Sequence, residues 1–176
     1  CTSTCGKTVT NLARPTATVS GGGTICSGNS LNLQAALTGA GPWTVAWSDG
    51  VTQTNVAASP ATRSVSPTTT TIYTVTSVND TNCSNTGTGS ATVTVNTAPQ
   101  VTLAPSSTTV CANTSVTLTA AASGTPAPAV QWQVSTDGGL SFSNLTGQTS
   151  ASYTFTAIFA DDGKQYRARF TNNCGT

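Results

Sequence analysis

The stretch that decides the fold is Asp161-Asp162-Gly163-Lys164-Gln165-Tyr166-Arg167-Ala168-Arg169-Phe170-Thr171-Asn172-Asn173-Cys174-Gly175-Thr176. It begins with an acidic turn that contains a glycine and continues into a run of alternating apolar and polar residues. This alternation predicts a β-strand whose inward side chains are Tyr166, Ala168 and Phe170. The rest of the chain is interpreted around this strand.

The composition favours strands throughout. Thr makes up about a fifth of the 176 residues, Glu, Met and His are absent, and charged residues are 6%. Thr is β-branched and suits a half-solvated pleated surface, whereas helices usually draw on Glu, Lys, Leu and Met. We therefore expect an all-β chain with essentially no helix. A hydrophobic content of 36% and three Trp favour packed domains over disorder.

The charge pattern excludes two classes of partner. The net charge is +1 and the six Lys and Arg are scattered, so we expect no binding to nucleic acid or to an anionic membrane. No apolar run is long enough to span a bilayer, so we expect no membrane insertion.

Six Cys in a chain with small cores are typical of an oxidising compartment, where disulfides add stability that a small core lacks. This predicts a secreted or cell-surface protein. Cys1 at the start of the sequence leaves open a lipidated amino terminus, as in bacterial lipoproteins.

An internal repeat divides the sequence in two. Residues 15–26 and 99–111 each run from a Pro to a Cys, and each is followed by an alternating strand and then by a strand that bears Trp. The alternating strands are Ser30-Leu31-Asn32-Leu33-Gln34-Ala35 and Ser115-Val116-Thr117-Leu118-Thr119-Ala120, and the Trp strands are residues 43–47 and 130–134. The repeat predicts two domains of about eighty residues each.

Cysteine spacing within the repeat suggests two disulfides. Tyr73 is the counterpart of Tyr166, and Cys83 and Cys174 follow these two tyrosines in loops. The expected bridges are Cys26–Cys83 and Cys111–Cys174. Each would close a loop of nearly sixty residues and stabilise its domain by roughly 4 kcal/mol on the chain-entropy model.

The sequence resembles the immunoglobulin-like (Ig-like) repeats of large secreted and surface-displayed bacterial proteins, particularly of the Bacteroidota type. The residues that carry the resemblance are 24–28, 41–50, 66–75 and 163–167, and Tyr166 resembles the tyrosine corner of such a sandwich. The resemblance implies two tandem Ig-like antiparallel β-sandwiches, residues 15–97 and residues 98–176, used as structural or adhesive repeats without catalytic residues. Trp47 and Trp132 are then the core Trp of each third strand.

The resemblance also implies that the second sandwich lacks its own final strand. Residues 90–96 alternate and close the first copy, and nothing equivalent follows Cys174. An open sheet edge presents unpaired N–H and C=O groups. Residues 1–14 read as the tail of a preceding domain, and the candidate donor strand within them is Thr8, Val9, Thr10, Asn11, Leu12 and Ala13.

Three functions remain open on this reading. The first is a subunit of an extracellular filament that assembles head to tail with copies of itself by strand addition, with Cys1 and Cys5 forming a local or intersubunit disulfide. The second is a repeat fragment of a giant cell-surface adhesin, in which a following segment of the same polypeptide supplies the strand. The third is a glycan-binding accessory module that uses Trp43 as a stacking surface, with glycans or a cell surface as partner.

Enzymatic and metal sites are not expected. Without His, a hydrolytic triad lacks its usual base, and only Asp161 and Asp162 among the five Asp are adjacent. Thiols in an oxidising compartment form disulfides rather than zinc sites. Asp137 lies in a turn similar to an Asp-box hairpin, which we interpret as structural. No cofactor is predicted.

Overall fold

The computed structural model describes residues 6–176 and is almost entirely β-structure. Its contact pattern divides the chain into two units, Cys1–Val95 and Asn96–Thr176. The observed boundary lies two residues before the one read from the sequence. The only helical element among the described residues is a 3₁₀ turn at Phe159–Asp161. The prediction of an all-β chain made of antiparallel sandwiches is confirmed.

Unit 1 contains nine strands and the first part of a tenth, which continues into unit 2. They are β1 (Thr16–Ser20), β2 (Gly23–Cys26), β3 (Leu31–Thr38), β4 (Trp43–Trp47), β5 (Thr52–Val56), β6 (Ala61–Val65), β7 (Thr71–Tyr73), β8 (Val75–Asn79), β9 (Ser84–Asn85) and β10 (Ala91–Leu103). One sheet has the order β1-β3-β6 and another β5-β4-β8-β9, while β10 lies between β2 and β7.

The core of unit 1 follows from the alternation of its strands. Leu33, Ala35 and Leu37 of β3 are buried while their neighbours are exposed, as expected for strands with one solvated face. Trp47 on β4 is buried, and its indole N–H donates to Gln53 Oε1 at 2.9 Å. The predicted core Trp of the first copy is therefore in place.

One ion pair covers the core of unit 1. The guanidinium of Arg63 lies 5.6 Å from the centre of the Trp47 ring and 5.8 Å from that of Tyr73. Its Nη1 donates to Asp49 Oδ1 at 2.8 Å. The hydrogen bond from Arg63 holds the pKa of Asp49 below its ordinary value. Arg63 thus combines a carboxylate partner with two aromatic faces.

Unit 2 contains the second part of β10 and six further strands: β11 (Ser115–Thr119), β12 (Ala121–Thr125), β13 (Ala129–Ser135), β14 (Ser143–Asn144), β15 (Ser152–Thr156) and β16 (Gln165–Thr171). β11 pairs with β15, β12 pairs with β10, and β13 lies between β14 and β16. Trp132 on β13 is fully buried, and its indole N–H donates to the Ser150 carbonyl at 2.9 Å. The buried core around it is small and comprises Ala120, Trp132 and Phe170.

Threonine hydroxyls pair across strands on the solvated faces. Thr16 and Thr38 join β1 to β3 with an oxygen separation of 2.7 Å, and Thr117 and Thr154 join β11 to β15 at 2.9 Å. Such pairs each contribute a fraction of a kcal/mol to sheet stability. The abundance of Thr in the sequence is thus used on the outer surfaces of the sheets.

The described cysteines of each unit lie at opposite ends of that unit. We call the end where the chain enters a unit its proximal end and the end where it leaves its distal end. In unit 1 the Cys26 carbonyl accepts from Asn29 N–H just before β3, whereas Asp80 accepts from the amides of Ala40, just after β3, and of Cys83. Cys26 is therefore distal and Cys83 proximal.

The expected bridges Cys26–Cys83 and Cys111–Cys174 are not present. Cys26 and Cys174 are disulfide-bonded, but Cys83 and Cys111 carry free thiols. The physical reason in unit 1 is that the eight residues of β3, about 26 Å at the usual rise, separate Cys26 from Cys83. Cysteine spacing gave the loop length but not the direction in which each strand runs.

The same arrangement separates Cys111 from Cys174 in unit 2. The Cys111 carbonyl accepts from Thr114 N–H just before β11. The Cys174 amide donates to Asn172, whose side chain donates to the carbonyls of Thr97 and Pro126, and Pro126 directly follows β12. Cys111 is therefore distal and Cys174 proximal. Cys1 and Cys5 lie outside the described residues.

Candidate functional site: a groove beside β16

Unit 1 shows how this fold closes its sandwich. The first part of β10 pairs antiparallel with β7 in the register Ala91↔Tyr73 and Val93↔Thr71, and on its other side it pairs with β2. Ala91, Val93 and Val95 all point inward and are buried, with Val93 at 0% exposure. The Val95 N–H donates to Thr70 Oγ1 at 3.1 Å at the distal end. The closing strand is thus held by both neighbours and seals the core.

Unit 2 has a groove at the corresponding place. Its volume is about 720 Å³, and it runs between the segment 105–112 on one side and the start of β16 on the other. The apolar side chains that line it include Val116, Leu118, Phe155 and Tyr166. These belong to the inner faces of β11, β15 and β16. The groove therefore opens onto the core of unit 2.

The repeat allows the exposure of equivalent residues to be compared. Leu33 is fully buried in unit 1, whereas its equivalent Leu118 is only half-buried. Ile25 on β2 is 8% exposed, whereas its equivalent Val110 is 40% exposed. The difference follows from pairing, because β2 is held by β10 and the segment that contains Val110 forms no strand. Residues that a closing strand covers in unit 1 are thus accessible in unit 2.

Aromatic rings form the floor of the groove. Phe155 stacks on Tyr153 with ring centres 5.1 Å apart, and Tyr166 lies 5.0 Å from Phe155. Burial, followed by the nearby Asp161 carboxylate, raises the pKa of Tyr166. Its counterpart Tyr73 is buried in unit 1, whereas Tyr166 is half-buried. The floor is a stacked, partly exposed apolar surface.

The edge of β16 supplies hydrogen-bonding groups along one side of the groove. Among the described residues, β16 pairs only with β13. Alternate N–H and C=O groups on its other edge can therefore pair with an added strand. At the start of β16, Lys164 Nζ donates to Asp161 Oδ1 at 2.8 Å, and Asp161 also accepts from the Ile158 amide at 2.9 Å. The pKa of Asp161 is lowered, first by Lys164 and then by this amide.

Exposed apolar side chains extend the groove at its distal end. Phe159 is 89% exposed and Ile158 is 54% exposed, and both line the groove. No sequence pattern identified these two residues or the aromatic floor. The alternation of Tyr153 and Phe155 in Ser152–Thr156 could have indicated the aromatic floor. No local sequence pattern indicates that the turn with Ile158 and Phe159 is exposed.

The candidate donor segment is exposed in the structure. Residues 6–14 form no regular element, and their side chains are accessible, with Val9 at 85% and Leu12 at 50%. When Pro15 is aligned with Pro99, Val9 falls opposite Val93, the fully buried residue of the closing strand. The segment belongs to unit 1 and the groove to unit 2.

Two other sequence-predicted sites have structural explanations. Trp43 is half-buried, packs against the core of unit 1, and its indole N–H donates to the Thr38 carbonyl at 3.0 Å. Asp137 accepts hydrogen bonds from Ser135 and from the amide and hydroxyl of Ser141, and these hold its pKa well below its usual range. Asp137 thus organises its turn. Within residues 6–176, no cluster of acidic, His or Cys side chains forms a metal site.

No helix within residues 6–176 has the length and apolar character needed to cross a bilayer.

Comparisons with known proteins identify the fold. Residues 101–176 match a family described as a domain of unknown function (DUF8696). A three-domain Ig fragment of titin is similar over 94% of this chain and 60% of its own length, with a TM-score of 0.62 and 16% identity. The eight amino-terminal Ig domains of Down Syndrome Cell Adhesion Molecule are similar over 94% of this chain and 24% of theirs, with a TM-score of 0.63 and 14% identity. The Ig-like fold is therefore shown.

One curated relative shares part of the sequence. Endoglucanase C of Cellulomonas fimi is 44% identical over 82 residues, which is 47% of this chain and 7% of that protein. The chain thus matches a small segment of a much longer protein. The chain is thus a pair of Ig-like units.

Proposed function

We propose that this chain is a structural subunit of an extracellular filament, in which residues 8–13 of one copy add as a strand to the groove beside β16 in the next copy. The observation that carries the proposal is the contrast between the sealed core of unit 1 and the open groove of unit 2. An added strand would pair with β16, cover the aromatic floor and give Val110 a neighbour.

The geometry of such an addition is set by unit 1. Val9 takes the place of Val93, its N–H and C=O groups pair with the start of β16, and the chain then continues through Pro15 into β1 of the second copy. Because the donor segment and the groove lie in different units of the chain, each copy uses one of each. The contact is heterologous and therefore propagates rather than closing as a dimer.

A matched pair of substitutions tests this proposal. Val9→Asp places a carboxylate in the core position of the added strand, whereas Thr10→Asp places it on the opposite, solvated face. Both residues are exposed in the separate chain, so neither change should affect folding. We expect the wild type and Thr10→Asp to form filaments by electron microscopy and sedimentation, and Val9→Asp to stay monomeric. Equal assembly of both variants would refute strand addition through this face.

A self-complemented chain provides a second test. Extending the chain after Thr176 with a copy of residues 84–95 supplies the groove with the strand that seals unit 1. We expect this chain to remain monomeric and its β16 amides to gain protection from hydrogen exchange. Filaments formed by this chain would show that assembly does not use the groove.

The same groove would be filled in a giant adhesin by a later segment of the same polypeptide. Mass measurement of the native protein with and without reductant distinguishes the two cases. Filament subunits reduce to chains of 17.6 kDa, whereas an adhesin remains a giant polypeptide after reduction. A secreted or cell-surface location accords with either assembly and with the disulfide-bonded cysteines.

A second candidate function is glycan binding. It is favoured by the 44% identity to part of an endoglucanase and by the partial exposure of Trp43. A glycan array tests it, with the Trp43→Ala variant compared with the wild type. Absence of signal, or binding unchanged by Trp43→Ala, would dismiss this function.

A further inference from the structure

The two free thiols lie in different units of the chain. Cys83 is at the proximal end of unit 1, and Cys111 is at the distal end of unit 2. In the repeat, Cys83 is the equivalent of Cys174, and Cys111 is the equivalent of Cys26. Both equivalents are disulfide-bonded. Each of the two repeat positions is thus oxidised in one unit and reduced in the other.

Each bonded cysteine lies beside a strand by which the chain leaves or enters its own unit. Cys26 ends β2, which pairs with β10, the strand by which the chain leaves unit 1. Cys174 lies in the loop that Asn172 ties to the Thr97 carbonyl, where the chain enters unit 2. One position is therefore beside an outgoing strand and the other beside an incoming one.

Each free cysteine lies close to one side of the proposed contact between copies. Cys111 lies between Val110 and Ala112, which both line the distal part of the groove that would receive the added strand. Cys83 neighbours Asn85, whose side chain donates to the Pro15 carbonyl at 3.0 Å, directly after the donor segment. Arg14 and Cys83 also line one shallow cleft. A donor strand in the groove therefore brings Pro15 and the Cys83 loop of its own copy to the distal end of the neighbour.

We propose that Cys111 of one copy and Cys83 of the next form an interchain disulfide that makes the filament covalent. This inference rests on the proposed strand addition and goes beyond it, because the intersubunit disulfide expected from the sequence involves Cys1 and Cys5 instead. Cys111 is exposed and Cys83 is half-buried, so both thiols are accessible before assembly.

The bond requires an oxidant. Joining the two Sγ atoms releases two protons and two electrons, which a disulfide-bearing oxidant accepts as it is cleaved to two thiols. In the assay this oxidant is oxidised glutathione. In an oxidising compartment a protein disulfide of the same chemical class serves.

Single and mixed variants of the full chain test the pairing. Each sample is allowed to assemble, is treated with oxidised glutathione and is analysed by electrophoresis without reductant. The wild type should give a ladder in multiples of 17.6 kDa that collapses when reduced. Cys83→Ser alone and Cys111→Ser alone should give only monomers, because each lacks one partner. An equimolar mixture of the two should give crosslinked dimers and nothing larger, since each such pair uses the only two matching thiols.

The alternatives give different bands. Dimers in either single variant would indicate bonds between identical cysteines and overturn the pairing. A ladder that persists in the double variant Cys83→Ser/Cys111→Ser would assign the crosslink to other cysteines and also overturn it. Filaments of the wild type that never become crosslinked would refute the disulfide while leaving strand addition intact. If the wild type does not assemble and gives no ladder, both proposals fail together.

Discussion

Val93 of the closing strand β10 and Val9 of the donor segment are equivalent positions whose truncation can be compared. Val93 is fully buried between β7 and β2, whereas Val9 is 85% exposed. Truncation of each to Ala removes the same two methyl groups. The predicted consequences differ because only Val93 is packed in the separate chain.

The magnitude follows from the burial. Loss of two buried methyl groups costs about 1.6 kcal/mol of transfer free energy, and the cavity left in a closed core brings the loss to roughly 2 kcal/mol. For a domain of this size, this corresponds to a decrease of roughly 8–16 °C in the Tm of unit 1. Val9→Ala should change the Tm of the monomer by less than about 4 °C, since surface substitutions stay within about 0.5 kcal/mol. It should instead weaken filament assembly about tenfold, because the same methyl groups are buried only there.

Calorimetry of the monomer and a sedimentation assay of assembly measure the two effects. Calorimetry gives the Tm of each unfolding transition. Tryptophan fluorescence can then assign the transitions, because Trp43 and Trp47 lie in unit 1 and Trp132 lies in unit 2. A Val93→Ala shift below about 2 °C would contradict the packing of β10. Normal assembly of Val9→Ala would contradict the equivalence of the two valines.

Two further predictions concern the individual units. Asp49→Asn should lower the Tm of unit 1 at neutral pH. Because Arg63 lowers the pKa of Asp49, this stabilisation is present above the unfolded carboxyl pKa of about 4 and is lost as the pH falls through the lower folded pKa, so Tm curves of variant and wild type should converge in acid. Trp132→Phe removes the indole N–H that donates to the Ser150 carbonyl and leaves unfilled space around a fully buried ring. It should cost roughly 1–3 kcal/mol in urea unfolding of unit 2, and an unchanged midpoint would contradict this packing.

The fold was predictable because its signals are local and repeated. Alternation in residues 30–35 and 115–120 specified strands, and Trp47 and Trp132 lie in the two cores as expected. The disulfides were not predictable in the same way. Pairing depends on which end of a sandwich each cysteine reaches, and loop length carries no information about strand direction.

The groove was predictable only in outline. The comparison of the two repeats predicted an open edge in the second copy, but not which side chains it would expose. Burial depends on neighbours that are distant in sequence, so the half-buried Leu118 and the exposed Val110 differ from Leu33 and Ile25 despite equivalent sequence positions. The free thiols of Cys83 and Cys111 likewise became visible only when both ends of each unit were located.

The threonine pairs across the outer faces of the sheets affect how the stability of the protein depends on salt and pH. Hydroxyl-to-hydroxyl contacts such as Thr16 with Thr38 involve no net charge, so dissolved ions do not screen them and protons do not titrate them. We therefore expect these surface pairs to contribute the same stability at low and at high salt concentration. Two ion pairs among residues 6–176, Asp49 with Arg63 and Asp161 with Lys164, are the parts that respond to such changes.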